Sequence, residues 1–117
     1  MKPAENSNRG QGIFVTSSLG DIRAALGQHQ KLIVQSYIRN LLLYNGRKFD
    51  IRTYMLAVTI HGRLKVFWYD EGYIRTSSEP YDLSNLLDPF IHLTNDAIQK
   101  KGENYGRFEE GNKLTYS

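Results

Sequence analysis

The sequence predicts one α+β domain in which mostly antiparallel strands outnumber one or two short helices. Two observations carry this prediction. Short apolar and aromatic runs are separated by glycine-containing turns, as in a sheet of hairpins. A single amphipathic stretch, 19–28, has the apolar spacing of a helix. With 117 residues, 40% of them apolar, the chain can build one modest core.

The central element is a strand over 48–54 that continues through 55–60 with little polarity, as a buried strand would. Side chains alternate along a strand, so Lys48, Asp50 and Arg52 share one face, and the opposite face points toward a core. A charged triplet entering a buried strand is costly unless its charges are paired or bind a ligand. The alternative is a solvated surface, and the spacing leaves both interpretations open.

The remaining elements follow in order along the chain. Strands are predicted at 13–15, 31–35, 64–69 and 73–77. A helix over 19–28 begins after a Ser17 or Ser18 cap, with Gly27 near its end. Turns are predicted at 45–46, 61–63 and 70–72, a helical turn at 81–87, and a mobile loop at 99–113.

Composition excludes several classes of protein. The chain has no cysteine, so thiolate chemistry, disulfides and cysteine-based zinc sites are excluded. The net charge of +3 is spread rather than clustered, which argues against a nucleic-acid partner. No apolar run reaches about 18 residues and no secretory signal is present, so we expect no membrane partner.

Candidate binding residues are isolated cations near strand ends and one glycine-rich loop. The cations are Lys2, Lys48, Arg52 and Arg75. They suit phosphate and carboxylate groups, where catalysis is mostly positioning and charge neutralisation. The loop Gly10-Gln11-Gly12 could aim amides at an anion, but an ordinary hairpin loop is the favoured explanation of these glycines. No nucleophile–base or metal-ligand spacing is present, and a lone histidine is more often structural.

Five short motifs, in this order, resemble the tubulin–tyrosine ligase family of ATP-grasp enzymes. The motifs are Arg9-Gly10-Gln11-Gly12-Ile13 after Lys2-Pro3, Gln35-Ser36-Tyr37-Ile38, Lys48-Phe49-Asp50-Ile51-Arg52, Glu71-Gly72-Tyr73-Ile74-Arg75 and His92-Leu93-Thr94-Asn95. Stretches 75–81 and 105–112 resemble the tyrosine-adding members most. The resemblance implies an incomplete, ATP-grasp-like α+β domain.

The resemblance also implies a role for each motif residue. Lys2 would meet the ATP phosphates, with Arg9 and Gly10 in the loop that covers them. The adenine linker would be Gln35, Ser36, Tyr37 and Ile38. The other ATP-binding residues would be Lys48, Phe49, Asp50, Thr94 and Asn95. Arg52 and Arg75 would be catalytic, and together with Lys48 they would bind substrate.

In this family, ATP phosphorylates a carboxylate and an amino acid amine then attacks the acylphosphate. The resemblance therefore implies ATP and Mg²⁺ as cofactors, tubulin's acidic tail and a free amino acid as partners, and a cytoplasmic, cytoskeleton-associated protein. The resemblance favours tyrosine as the donor. The alternatives are a polyglutamylase, a glycylase, or a non-catalytic remnant that binds tubulin or nucleotide.

Two departures from the family pattern matter. Ser36 stands where the tyrosine-adding members often have Lys, so one nucleotide contact is in doubt. The resemblance places the family's magnesium ligands, a carboxylate and a Glu-x-Asn motif, well downstream of this stretch, so we expect them outside 1–117. We therefore expect 1–117 to be the central part of a ligase, lacking its amino-terminal domain and metal-binding part. Alone it should give no product with ATP, magnesium, tyrosine and detyrosinated tubulin.

Overall fold

The structure is a computed structural model that describes residues 1–4, 8–28 and 31–116. The strands are β1 (Lys2–Pro3), β2 (Leu32–Ile33), β3 (Arg47–Ile60), β4 (Arg63–Pro80) and β5 (Lys113–Thr115). The helices are α1 (Leu19–Gln28), α2 (Pro89–His92) and α3 (Asp96–Gln99), with one 3₁₀ turn at Glu110–Asn112. This arrangement confirms the predicted α+β class with antiparallel sheets.

The strands form two antiparallel sheets. Strand β1 pairs with β2, and the larger sheet has the order β3-β4-β5. The β3–β4 hairpin closes through His61 and Gly62, with φ angles of 49° and 74°. Asn45 and Gly46 form a second turn with φ angles of 48° and 73°. Two consecutive left-handed residues are the geometry of hairpin turns, so both predicted turns are confirmed.

Strand β4 runs unbroken from Arg63 to Pro80, so the turn predicted at 70–72 is wrong. The register explains the difference: Arg52 faces Tyr73 but Tyr54 faces Tyr69, which leaves extra residues on β4. The turn-forming residues therefore make a β-bulge rather than a chain reversal. Gly72 is needed there because a Cβ would lie 2.4 Å from the Arg52 carbonyl oxygen and 2.4 Å from the Tyr116 hydroxyl.

Helix α1 spans 19–28 as predicted. Ser18 caps it, because its Oγ accepts hydrogen bonds from the amides of Gly20 at 3.1 Å and Asp21 at 3.3 Å. On its predicted apolar face only Ala25 is buried, whereas Leu26 is 53% exposed. The helix is thus fixed by its cap and only shallowly packed.

Three other predicted elements differ from the structure. Residues 13–15 are not a strand. Phe14 pairs with Met1 alone: its amide donates to the Met1 carbonyl oxygen at 3.1 Å, and its carbonyl oxygen accepts from the Met1 ammonium at 2.7 Å. The strand predicted at 31–35 is reduced to Leu32–Ile33, matching the two-residue β1. Residues 81–87 are not helical, and the helix begins later, where the Asp88 carboxylate caps α2 and Pro89 occupies its first turn.

The most buried part of the described chain is polar. Arg47, Thr76, Ser77, Ser78, His92, Gln99 and Asn112 are all at most 3% exposed. The six other than His92 make hydrogen bonds within this set: the side-chain Oε1 of Gln99 accepts from the Ser78 backbone amide at 2.8 Å, and the side-chain Nδ2 of Asn112 donates to Ser78 Oγ at 2.9 Å. This network joins β4 to α3 and to the 3₁₀ turn. It also includes much of 99–113, whose predicted mobility stays a prediction.

The outer part of the β3–β4 hairpin projects without cover. We call residues 54–69 the ribbon. Met55, Leu56, Phe67 and Trp68 are between 53% and 62% exposed, so the prediction that 55–60 is buried is wrong. Its apolar residues lie on both faces, as they would in a sheet covered on both sides. The molecule is accordingly elongated, at 52 × 38 × 26 Å.

Candidate functional site

A cavity of about 510 Å³ opens between the β1–β2 sheet and the base of β3. One wall is the segment 35–38, which follows β2, and the opposite wall is formed by 13–15 and Leu93. Lys2 from β1 and Lys48 from β3 bring two ammonium groups to its lining. Apolar walls with two cations suit a ligand that has a flat apolar part and an anionic part.

Lys48 is held at this cavity by hydrogen bonds. Its Nζ donates to the His92 carbonyl oxygen at 2.8 Å and lies 3.5 Å from the Tyr37 hydroxyl. The ammonium also lies 5.0 Å from the centre of the Tyr37 ring, a cation–π distance. Burial lowers the pKa of Lys48, and the nearby Asp50 carboxylate opposes that shift. A partly desolvated ammonium gains more from an anionic ligand than an exposed one would.

A second cavity, of about 340 Å³, is lined by cationic and polar groups. Arg9, Arg75, Asn95, Asp96, Ala97 and Lys100 form its lining. Arg75 is already engaged, because its Nε donates to Asp50 Oδ1 at 2.9 Å and its Nη2 to Asp50 Oδ2 at 2.6 Å. This cross-strand pair raises the pKa of Arg75, mainly through hydrogen bonding to Asp50. Asp50, the acidic member of the charged triplet on β3, is therefore paired with Arg75.

The segment 92–95 contributes residues to both cavities. His92 and Leu93 line the first cavity and Asn95 lines the second. The Asn95 main chain begins α3, while its side chain makes no cap bond and lies against Gly10. A Cβ on Gly10 would be 2.8 Å from Asn95 Oδ1, so only glycine fits this close approach. The glycine loop is thereby placed beside the second cavity.

The structure brings together most of the residues that the sequence singled out. The first cavity gathers Lys2, Gln35, Ser36, Tyr37, Ile38 and Lys48, and the second gathers Arg9, Arg75 and Asn95. Gly10 touches Asn95, and Asp50 holds Arg75. Phe49, Arg52 and Thr94 line neither of these two cavities. The residue roles themselves remain predictions.

Sequence reasoning missed several lining residues, namely Met1, Ile13, Phe14, Val15, Leu41, His92 and Leu93. Most are apolar, and in sequence they look like core residues. His92 carried a signal, since it opens one of the five motifs, but a lone histidine was interpreted as structural. Its 1% exposure agrees with that interpretation, while its contacts with Tyr37 and Lys48 place it at the cavity.

The first cavity fits the general shape and charge of a nucleotide, with apolar walls for a base and ammonium groups for phosphates. The described residues do not offer a comparable magnesium site, because no three His, Cys, Asp or Glu side chains cluster there. Asp50 is bound to Arg75, and Asp96 is bonded to Lys100. None of the described side chains is therefore assigned to magnesium binding. None of the described helices is long and apolar enough to cross a membrane.

The antiparallel sheets, the few short helices and the paired cavities are consistent with part of an ATP-grasp-like domain. Sequence comparison identifies the family within this class of fold. The sequence model described as "Tubulin-tyrosine ligase family" matches residues 1–116, and the chain therefore belongs to that family. The predicted family is confirmed.

Curated relatives refine the comparison. The chain is 42% identical over 119 residues to tubulin glycylase 3D of Tetrahymena thermophila, which covers 98% of this chain and 11% of that protein. It is 41% identical over 109 residues to the human probable tubulin polyglutamylase TTLL2, covering 93% of this chain and 17% of that protein. It is 37% identical to the Tetrahymena probable alpha-tubulin polyglutamylase Ttll1, covering 95% and 30%. The chain thus spans less than a third of the length of these relatives, and their names do not support tyrosine as the preferred donor.

Proposed function

We propose that this chain forms the nucleotide-binding centre of an ATP-dependent ligase that adds glutamate or glycine to tubulin. The observation that carries the proposal is the first cavity. Its lining combines Lys2 and Lys48 with the linker 35–38, in a chain that belongs to this ligase family. The choice of glutamate or glycine rests on the relatives, which are named as glycylases and polyglutamylases. The acidic tubulin tail would also be attracted to a chain of net charge +3.

In this proposal each part of the chain has a binding task. The linker 35–38 borders the base, and Lys2 and Lys48 bind phosphate oxygens. Arg9 and Asn95 extend the polar lining toward the second cavity, where Arg75 stays fixed by Asp50. Bound ATP supplies the phosphoryl group that activates a carboxylate toward an amine. The chain's own contribution is positioning and charge stabilisation.

Replacing Lys48 tests the nucleotide site. Lys48→Met should weaken binding of a fluorescent ATP analogue about tenfold or more, because a charge-assisted hydrogen bond contributes roughly 1.5–3 kcal/mol. Lys65→Met removes the same charge from the exposed ribbon and is the matched control. A titration in which the two variants bind equally well would contradict the assignment.

The donor is tested separately with the full-length gene product. Labelled glycine, glutamate and tyrosine are each offered with ATP, magnesium and tubulin, and incorporation into tubulin is counted. The proposal expects glycine or glutamate to be incorporated well above tyrosine. Incorporation of tyrosine alone would restore the tyrosine-adding alternative and overturn ours.

A further inference from the structure

His92 is almost fully buried, at 1% exposure, yet it makes hydrogen bonds with two other residues that line the first cavity. It is the last residue of α2. Its Nε2 lies 2.9 Å from the Asn85 carbonyl oxygen, and its Nδ1 lies 2.9 Å from the Tyr37 hydroxyl. Its own carbonyl oxygen accepts from Lys48 Nζ at 2.8 Å. One residue therefore contacts both Tyr37 of the linker and the Lys48 ammonium.

The hydrogen-bond partners fix the tautomer of this ring. A carbonyl oxygen can only accept, so Nε2 must carry the proton that is donated to Asn85. In the neutral ring Nδ1 is then an acceptor, and the Tyr37 hydroxyl donates to it. A second ring proton would displace the Tyr37 hydrogen and add a cation beside the Lys48 ammonium.

The Tyr37 ring is oriented by the same contact. Its centre lies 5.5 Å from the His92 ring, and the two planes are perpendicular. Tyr81 packs edge-on against the other side of His92 with centres 6.1 Å apart. The titratable or charged groups in contact with His92 are thus Tyr37, Tyr81 and Lys48. Asp82 interacts with His92 through its charge.

We infer that His92, as the neutral Nε2–H tautomer, is a positioning residue of the nucleotide site: its ring anchors the Tyr37 hydroxyl and its carbonyl anchors the Lys48 ammonium. This inference rests on the proposed function of the first cavity. The competing explanation, a histidine that merely fills space, requires no particular tautomer and no coupling to Tyr37. The two explanations therefore differ in what can be measured.

The first measurement needs no nucleotide. Long-range ¹H–¹⁵N NMR of the histidine rings reports the tautomer, and His61→Gln helps to assign the three histidines of the chain. The inference expects His92 to be protonated at Nε2 and unprotonated at Nδ1 at neutral pH. An Nδ1–H tautomer, or a ring that exchanges freely between tautomers, would overturn it. This result stands whether or not the chain binds ATP.

The second measurement is a double-mutant cycle on binding of the ATP analogue. His92→Phe and Tyr37→Phe should each weaken binding about tenfold, and the double variant should be no weaker than either one, because both remove the same hydrogen bond. His92→Asn, whose amide oxygen can replace Nδ1 as acceptor, should recover most of the affinity. Additive losses with no rescue by Asn would overturn the inference. If wild type binds no nucleotide, the proposed function fails and the positioning role fails with it, whereas the NMR result still tests the tautomer and the His92–Tyr37 hydrogen bond.

Discussion

At the scale of single residues, the ion pair between Arg47 and Glu109 is the most buried charge pairing in the described chain, with side chains 3% and 9% exposed. The Arg47 guanidinium also donates to the Ser77 carbonyl at 3.0 Å, and the Glu109 carboxylate accepts from Thr76 Oγ at 2.8 Å. Burial alone would raise the pKa of Glu109, but the hydrogen bonds from Arg47 and Thr76 lower it overall. The pair therefore ties Glu109 to Arg47 at the start of β3, and the bonds with Thr76 and Ser77 extend this tie to β4.

Removing the Glu109 charge should destabilise the fold by about 3–5 kcal/mol, because Arg47 would be left buried and uncompensated. Glu109→Gln is compared with Glu103→Gln, an exposed change that should alter stability by less than about 0.5 kcal/mol. Urea unfolding followed by circular dichroism measures both. Equal stability of the two variants would show that the pair contributes nothing.

The same pair sets a dependence on pH. The folded-state pKa of Glu109 lies below its ordinary value of 4.5, so its stabilisation is complete above that value and is lost as the pH falls through the lowered pKa. Wild type should therefore lose stability in acid faster than Glu109→Gln does. Parallel acid-unfolding curves for the two proteins would contradict this sign.

At the scale of elements, the bulge in β4 shows the limit of local sequence patterns. Asp70, Glu71 and Gly72 are turn formers, and nothing local distinguishes a turn from a bulge. Only the pairing of Arg52 with Tyr73, set by residues far away in sequence, selects the bulge. By contrast, α1 and the turn at His61 and Gly62 depend on neighbours alone, and both were predicted from the sequence.

Gly72→Ala should cost roughly 1–3 kcal/mol, since its methyl group would overlap the Arg52 carbonyl oxygen and the Tyr116 hydroxyl. Gly27→Ala is the matched control: no atom lies within 4 Å of its Cβ, and alanine favours a helix by about 0.5–1 kcal/mol. Thermal unfolding should move in opposite directions for the two variants. A Gly72→Ala protein as stable as wild type would mean that the bulge does not pack closely against Arg52 and Tyr116.

At the scale of the whole molecule, the ribbon is apolar on both faces and uncovered. Trp68, the chain's single tryptophan, lies on it and is 61% exposed. Its apolar residues predicted burial, and the prediction failed because burial depends on what packs against the strand from outside, which the strand itself does not encode. The same holds at the site: the cationic lining residues were singled out from the sequence, whereas most of the apolar lining was not.

Trp68 therefore reports on the ribbon. In dilute solution its fluorescence should resemble that of a solvated indole and be readily quenched by iodide. Association through the ribbon would shift the emission to shorter wavelength as protein concentration rises. Replacing Leu56 with Lys should suppress that shift. An emission that is blue-shifted and unquenched at every concentration would show that the ribbon folds back on the chain.

The segment 92–95 has a consequence for how the two cavities behave together. It is only four residues long, yet it contributes to both linings and supplies the carbonyl that holds Lys48. A ligand group that shifts this buried segment from one side therefore also changes the lining on the other side. By thermodynamic reciprocity, whatever factor one group contributes to binding of the second, the second must contribute equally to binding of the first.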